Sequence, residues 1–97
     1  MSPYYSQVGN PADYPQAGRY LAPHRPGVTF DAFVYAVHPA PEWAKKVVTP
    51  ILDNGATLRT AFGDRHLDYG EVVVRDENGV VVAMDRGMFS ALFVVTA

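Results

Sequence analysis

Glu71-Val-Val-Val-Arg-Asp76, then Glu77-Asn78-Gly79, then Val80-Val-Val-Ala-Met84 is the stretch on which the fold turns. Two β-branched runs flank an Asn-Gly pair, which suits a tight antiparallel hairpin because Asn and Gly tolerate the positive φ angles of a type I′ turn. A two-residue turn pairs Glu77 with Val80, Arg75 with Val82 and Val73 with Met84 on one face, and Asp76 with Val81 and Val74 with Ala83 on the other. Neither face is cleanly polar, whereas a sheet with one solvated side alternates apolar and polar residues. Both sides of the hairpin therefore need cover.

Working outward, Val28-Thr-Phe-Asp-Ala-Phe-Val-Tyr-Ala-Val37 reads as a strand ended by Pro39 and Pro41, again with apolar residues on both sides: Phe30, Val34 and Ala36 on one, Phe33, Tyr35 and Val37 on the other. Glu42 to Thr49 reads as the main helix, with Trp43, Ala44, Val47 and Val48 on one stripe, Pro41 in its first turn and Pro50 as its stop. Asp53-Asn54-Gly55 is a turn, Thr57 to Phe62 a short strand, and Gly63 to Gly70 a polar loop. Past the hairpin, Asp85 is positioned to cap a short helix over Arg86 to Leu92, and Phe93 to Val95 reads as a closing edge strand. The expected fold is α+β: a small, mostly antiparallel sheet with one main helix and one short C-terminal helix. One helix covers one side of such a sheet, so the second side falls to the N-terminal segment, another subunit or a partner.

The first 27 residues are different in kind. Five of the eight prolines and four of the six tyrosines lie there, with no helical or strand period. The division expected is an extended arm over residues 1–27 and a compact α+β domain over residues 28–97, with the arm folded back on that domain or docked on a partner.

Ninety-seven residues support one hydrophobic core and no second domain. With 48% hydrophobic and 19% charged residues the chain is of globular composition. A formal charge of −2 and no basic stripe argue against nucleic acid. With no cysteine, disulfides, thiolate-bound zinc and a cysteine nucleophile are excluded, and no apolar run is long enough to cross a membrane as a helix, so the reading is cytoplasmic.

Chemistry-bearing patterns are sparse. Asp64-Arg65-His66-Leu67-Asp68 could turn Asp64, His66 and Asp68 to one side in an extended chain, a weak metal pattern without a second ligand set. Ser2, Ser6 and Ser90 lack a nucleophile elbow, and Gly63, Gly70 and Gly79 are isolated, so no phosphate-cradling loop is present. No catalytic residue, metal ligand or cofactor is assigned. The expected binding residues are Tyr4, Tyr5, Tyr14, Arg19, Tyr20 and Arg25 in the arm, and Arg65, His66 and Asp68 in the polar loop.

Residues ~26–95 resemble a group of small phage- and prophage-encoded proteins. The resemblance lies in Val28-Thr-Phe-Asp-Ala-Phe-Val-Tyr35, Pro41-Glu42-Trp43, Leu58-Arg59-Thr60, and Asp68-Tyr69-Gly70-Glu71 through Gly79 and Asp85 to Phe89, Leu92 and Phe93. This chain has Tyr69-Gly70-Glu71 where that group has Gly-Asp-aromatic, and Phe93 where Tyr is common. The resemblance implies a non-enzymatic phage accessory protein in the host cytoplasm that binds a host bacterial protein stoichiometrically, in the manner of an inhibitor of a defence system such as a CRISPR surveillance complex. The rival is a virion subunit, decorating a capsid or tail, whose arm contacts neighbours. A homodimer is compatible with either.

Overall fold

The structure is a computed structural model and describes residues 10–51 and 54–95. Its elements are β1 (Gly18–Leu21), β2 (Thr29–Val34), a 3₁₀ turn (Glu42–Lys46), β3 (Val48–Pro50), β4 (Ala56–Thr60), β5 (Gly63–Leu67), β6 (Val72–Asp76), β7 (Val81–Met84), α1 (Arg86–Leu92) and β8 (Val94–Val95), after a short 3₁₀ turn at Pro11–Asp13. Both sheets are antiparallel: a five-stranded sheet in the order β7-β6-β2-β1-β8 and a three-stranded sheet in the order β3-β4-β5. The class is α+β and mostly sheet, as the sequence predicts.

The two-sided apolar strands are explained by two cores, one on each face of the main sheet. Phe30, Ala32 and Val34 of β2 with Val72 and Val74 of β6 pack beneath Tyr20, Phe89 and Phe93. Alternation along the same strands sends Phe33 and Val73 the other way, where they meet Val81 of β7 and Ala56, Leu58 and Leu67 of the small sheet. The apolar part of the second face, around Phe33 and Val73, is thus covered by the chain's own three-stranded sheet, and not by a subunit or a partner.

The main helix expected over Glu42–Thr49 does not form. Eight residues bracketed by Pro41 and Pro50 are too few to hold an α-helix without strong packing. The Ala44 N–H reaches the Pro41 carbonyl and the Val47 N–H the Ala44 carbonyl, both at 3.0 Å, giving 3₁₀ spacing. The Val47 carbonyl then accepts the Arg59 N–H at 2.8 Å, drawing Val48–Pro50 into the small sheet. The C-terminal helix matches its expected bounds, and the Asp85 carboxylate accepts the Met88 N–H at 2.8 Å as an N-cap.

The loop expected over Gly63–Gly70 is a strand for its first five residues, paired with β4 from Thr60↔Gly63 to Ala56↔Leu67. The hairpin forms one residue out of the expected register: Arg75 lies opposite Val81 and Val72 opposite Met84. Glu77, Asn78 and Gly79 make a three-residue loop in which Gly79 alone takes a positive φ, +85°. The buried Asp76 carboxylate selects this loop by accepting the Asn78 and Val80 N–H groups, each at 2.9 Å.

The boundary drawn at residue 27 is not a structural one. Gly18–Leu21 pairs with β2 along its whole length and carries β8 on its other side. Tyr14 is also held. Its ring lies under the Arg86 guanidinium at 4.8 Å and against Gly70, where an added Cβ would come within 2.8 Å of the Tyr14 hydroxyl.

Candidate docking face

The small sheet covers only part of the main sheet's second face. Two residues beyond Phe33 and Val73 on the same strands, Asp31 and Arg75 point the same way and stand opposite each other, with Arg19 of β1 opposite Asp31 on its other side. Three adjacent strands thus carry a row of alternating charge. Arg75 Nη2 contacts Asp31 Oδ2 at 3.1 Å, and Arg19 Nε lies 3.5 Å from Asp31 Oδ1. The Arg75 guanidinium also lies 4.8 Å from the centroid of the Trp43 ring, which packs edge-on against Phe33. The 3₁₀ turn therefore serves to set Trp43 as a backstop for Arg75.

On one side of this row is a depression of about 430 Å³ bounded by Thr29, Glu77 and Gly79. Glu77 bends back over the start of β2, its Oε1 accepting the Thr29 N–H at 3.0 Å and the Thr29 hydroxyl at 2.7 Å. Those bonds hold its carboxyl below the usual range. On the other side, a depression of about 280 Å³ lies among Gly18, Phe33, Pro39, Pro41 and Trp43. Leu21 and Val94, partners across β1 and β8, extend the face with exposed apolar surface. Arg19, Asp31, Arg75 and Glu77 balance in charge, so the face offers donors and acceptors in alternation and no net attraction for a phosphate chain.

The residues expected to bind do not converge. Tyr4 and Tyr5 lie outside the described residues. Tyr20 is 4% exposed, packed edge-on against Phe89, and its hydroxyl donates to the Gln16 carbonyl at 2.6 Å; burial raises its pKa. Tyr14 is latched by Arg86, and Arg25 lies over the Phe30 ring at 5.5 Å and 3.7 Å from Asp76, on the helix side of the sheet. Arg65 faces inward, pairing with Glu71 at 2.7 Å and donating to the Ala83 carbonyl at 3.0 Å. His66 and Asp68 bond each other at 2.8 Å on the outer rim of the small sheet. Among the described residues, no three His, Asp or Glu side chains group to hold a metal ion.

Arg19 is the one expected residue on this charged face. Asp31, Arg75, Trp43 and Glu77 were not singled out. The signal of Asp31 and Arg75 in the sequence is a charge that interrupts an apolar run, Asp31 between Phe30 and Ala32 and Arg75 after three valines. Reading it as a row requires the register.

Comparison with family models, with curated proteins and with solved structures finds no match to this chain. Among the described residues no helix is long and apolar enough to cross a membrane.

Proposed function

We propose that this chain is a non-enzymatic binding protein that presents the open part of its main sheet, centred on Arg19, Asp31 and Arg75, to a host bacterial protein at fixed stoichiometry. The supporting observation is that a charged row pre-ordered by ion pairing and by Trp43 lies beside exposed Leu21 and Val94, on a face the chain covers only in part. A polar, pre-organised centre edged by apolar side chains suits a protein partner better than a small molecule, because the depressions beside it are open and mixed in charge. The phage setting, the host cytoplasm and the anti-defence role, inhibition of a CRISPR surveillance complex included, rest on the resemblance of residues ~26–95.

The test is affinity capture from bacterial lysate followed by calorimetric titration of the captured protein against the wild type and an Arg19→Glu, Leu21→Asp variant. A saturable complex of fixed stoichiometry, weakened at least about a hundredfold by the double change, supports the reading. Capture unaffected by the variant overturns the face as the docking surface. Co-purification with virus particles at high copy number replaces the host-directed role with that of a virion subunit.

A further inference from the structure

The chain holds two Asn-Gly pairs, Asn54-Gly55 and Asn78-Gly79, and the fold places them in opposite surroundings. The side-chain amide of an Asn followed by Gly is open to attack by the next backbone nitrogen, because glycine has no Cβ to shield that nitrogen or to resist the rotation that brings it round. The attack then depends on access and on freedom to rotate.

Asn54-Gly55 lacks that freedom. Gly55 is buried, its carbonyl accepts the Ile51 N–H at 2.9 Å and the Tyr35 hydroxyl at 3.1 Å, and an added Cβ there would run into the Leu67 carbonyl. Asn78-Gly79 is the reverse case. Glu77, Asn78, Gly79 and Val80 are all exposed, and nothing lies within 4 Å of where a Gly79 Cβ would stand. The Asp76 carboxylate holds the Asn78 N–H at 2.9 Å, but no described residue bonds the Asn78 side-chain amide. One brake acts on the attacking nitrogen: the Gly79 N–H donates to the Asp76 carbonyl at 3.1 Å. A bond of this kind at an exposed loop tip opens at low cost.

We infer that Asn78 is a site of self-modification, where the chain converts its own side-chain amide to a carboxylate and so releases the tip of the β6–β7 hairpin. The Gly79 nitrogen gives up its proton to solvent and bonds to Asn78 Cγ; the Cγ–Nδ2 bond breaks, and the amide nitrogen takes up a proton and leaves as ammonia. Water then opens the five-membered imide at either carbonyl to leave aspartate or isoaspartate, so that amide plus water becomes carboxylate plus ammonium. No other reactant is needed. The product sets a third consecutive carboxylate after Asp76 and Glu77 and, in the isoaspartate form, carries the main chain through the former side chain. A loop fitted to the Asp76 carboxylate by the Asn78 and Val80 N–H groups loses that fit. Glu77 is then drawn off Thr29, whose N–H and hydroxyl it accepts in the unconverted chain. Glu77 and Gly79 also border the depression beside the Arg19–Asp31–Arg75 row, so conversion reshapes the proposed docking face; that consequence rests on the docking reading, and the modification does not.

The experiment is peptide mapping by mass spectrometry of the full chain held in mildly alkaline buffer, with enzymatic methylation to mark isoaspartate and amide exchange to follow Thr29. Asn10 is a built-in control, since the Pro11 nitrogen after it has no proton to lose. The expected result is conversion at Asn78 at least about tenfold faster than at Asn54, as the cost of opening an exposed tip is lower than that of a buried loop. Asn10 stays unconverted, and exchange at the Thr29 amide quickens in step with Asn78. Asn78→Gln abolishes both changes while its circular dichroism stays that of the wild type. Conversion at Asn54 as fast as at Asn78, an unconverted Asn78, or a converted chain with unchanged Thr29 exchange overturns the inference. No partner enters the measurement, so its outcome is separate from that of the docking test.

Discussion

The two faces of the main sheet are built from the same three central strands and end differently. On one face, α1 closes the layer with Phe89 against Tyr20 and Phe93 at ring separations of 4.7 and 4.9 Å, and the aromatic side chains are sealed from water. On the other, a three-stranded sheet covers Phe33 and Val73 and stops before Asp31 and Arg75. The first face is committed to stability. The second divides between a buried layer and an open charged row, and the division falls where apolar residues give way to charge along β2 and β6.

The largest way to break the contrast is Phe89→Ala. A ring stacked on Phe93 and packed edge-on against Tyr20 is removed from the sealed face, with an expected loss of about 3–5 kcal/mol by urea titration, a large share of the about 5–15 kcal/mol typical of a domain. Gly55→Ala attacks the cover of the second face. Gly55 has φ +74° and an added Cβ would run into the Leu67 carbonyl, a backbone atom of β5 that cannot turn aside. The expected loss is about 2 kcal/mol or more, with faster amide exchange in β4 and β5 than in β1. Asp76→Ala removes the acceptor for the Asn78 and Val80 N–H groups. It costs about 2 kcal/mol and speeds exchange at those two amides first.

A smaller effect is expected from His38, whose Nδ1 accepts the Val34 N–H at 3.0 Å and whose burial lowers its pKa. The unfolded chain takes up that proton first, so the contribution is complete above about pH 6.5 and declines as pH falls toward the lower folded value. The stability difference between wild type and His38→Ala should therefore shrink on acidification through that range. The smallest effect sharpens the contrast from the other side. Arg19→Ala, at a side chain 64% exposed, should shift stability by no more than about 0.5 kcal/mol while weakening partner binding.

Much of the fold was legible. Asp85 and the residues after it gave the helix and its cap, and the alternation in β2 and β6 gave two faces in need of cover. What misled were short segments whose state depends on a neighbour. Glu42–Lys46 has a helical stripe, yet the Val47 carbonyl is taken by Arg59. Gly63–Leu67 has only Leu67 buried, so no apolar period marks it as a strand. Gly18–Leu21 buries only Tyr20, and its extended state follows from the open edge of β2.

By itself the sequence determined the mixed α+β class, the place of the hairpin, the C-terminal helix, and the need to cover both sides of the sheet, though not that two cores would do so. These follow from residue pattern and local backbone preference, which act over a few positions. Only the tertiary structure decided the register of the hairpin, through the buried Asp76 carboxylate, and the identity of the second cover. It also decided the row Arg19–Asp31–Arg75, because residues this far apart in the chain meet only once β1, β2 and β6 are aligned. A one-residue change of register would reverse the faces of one strand and disperse that row.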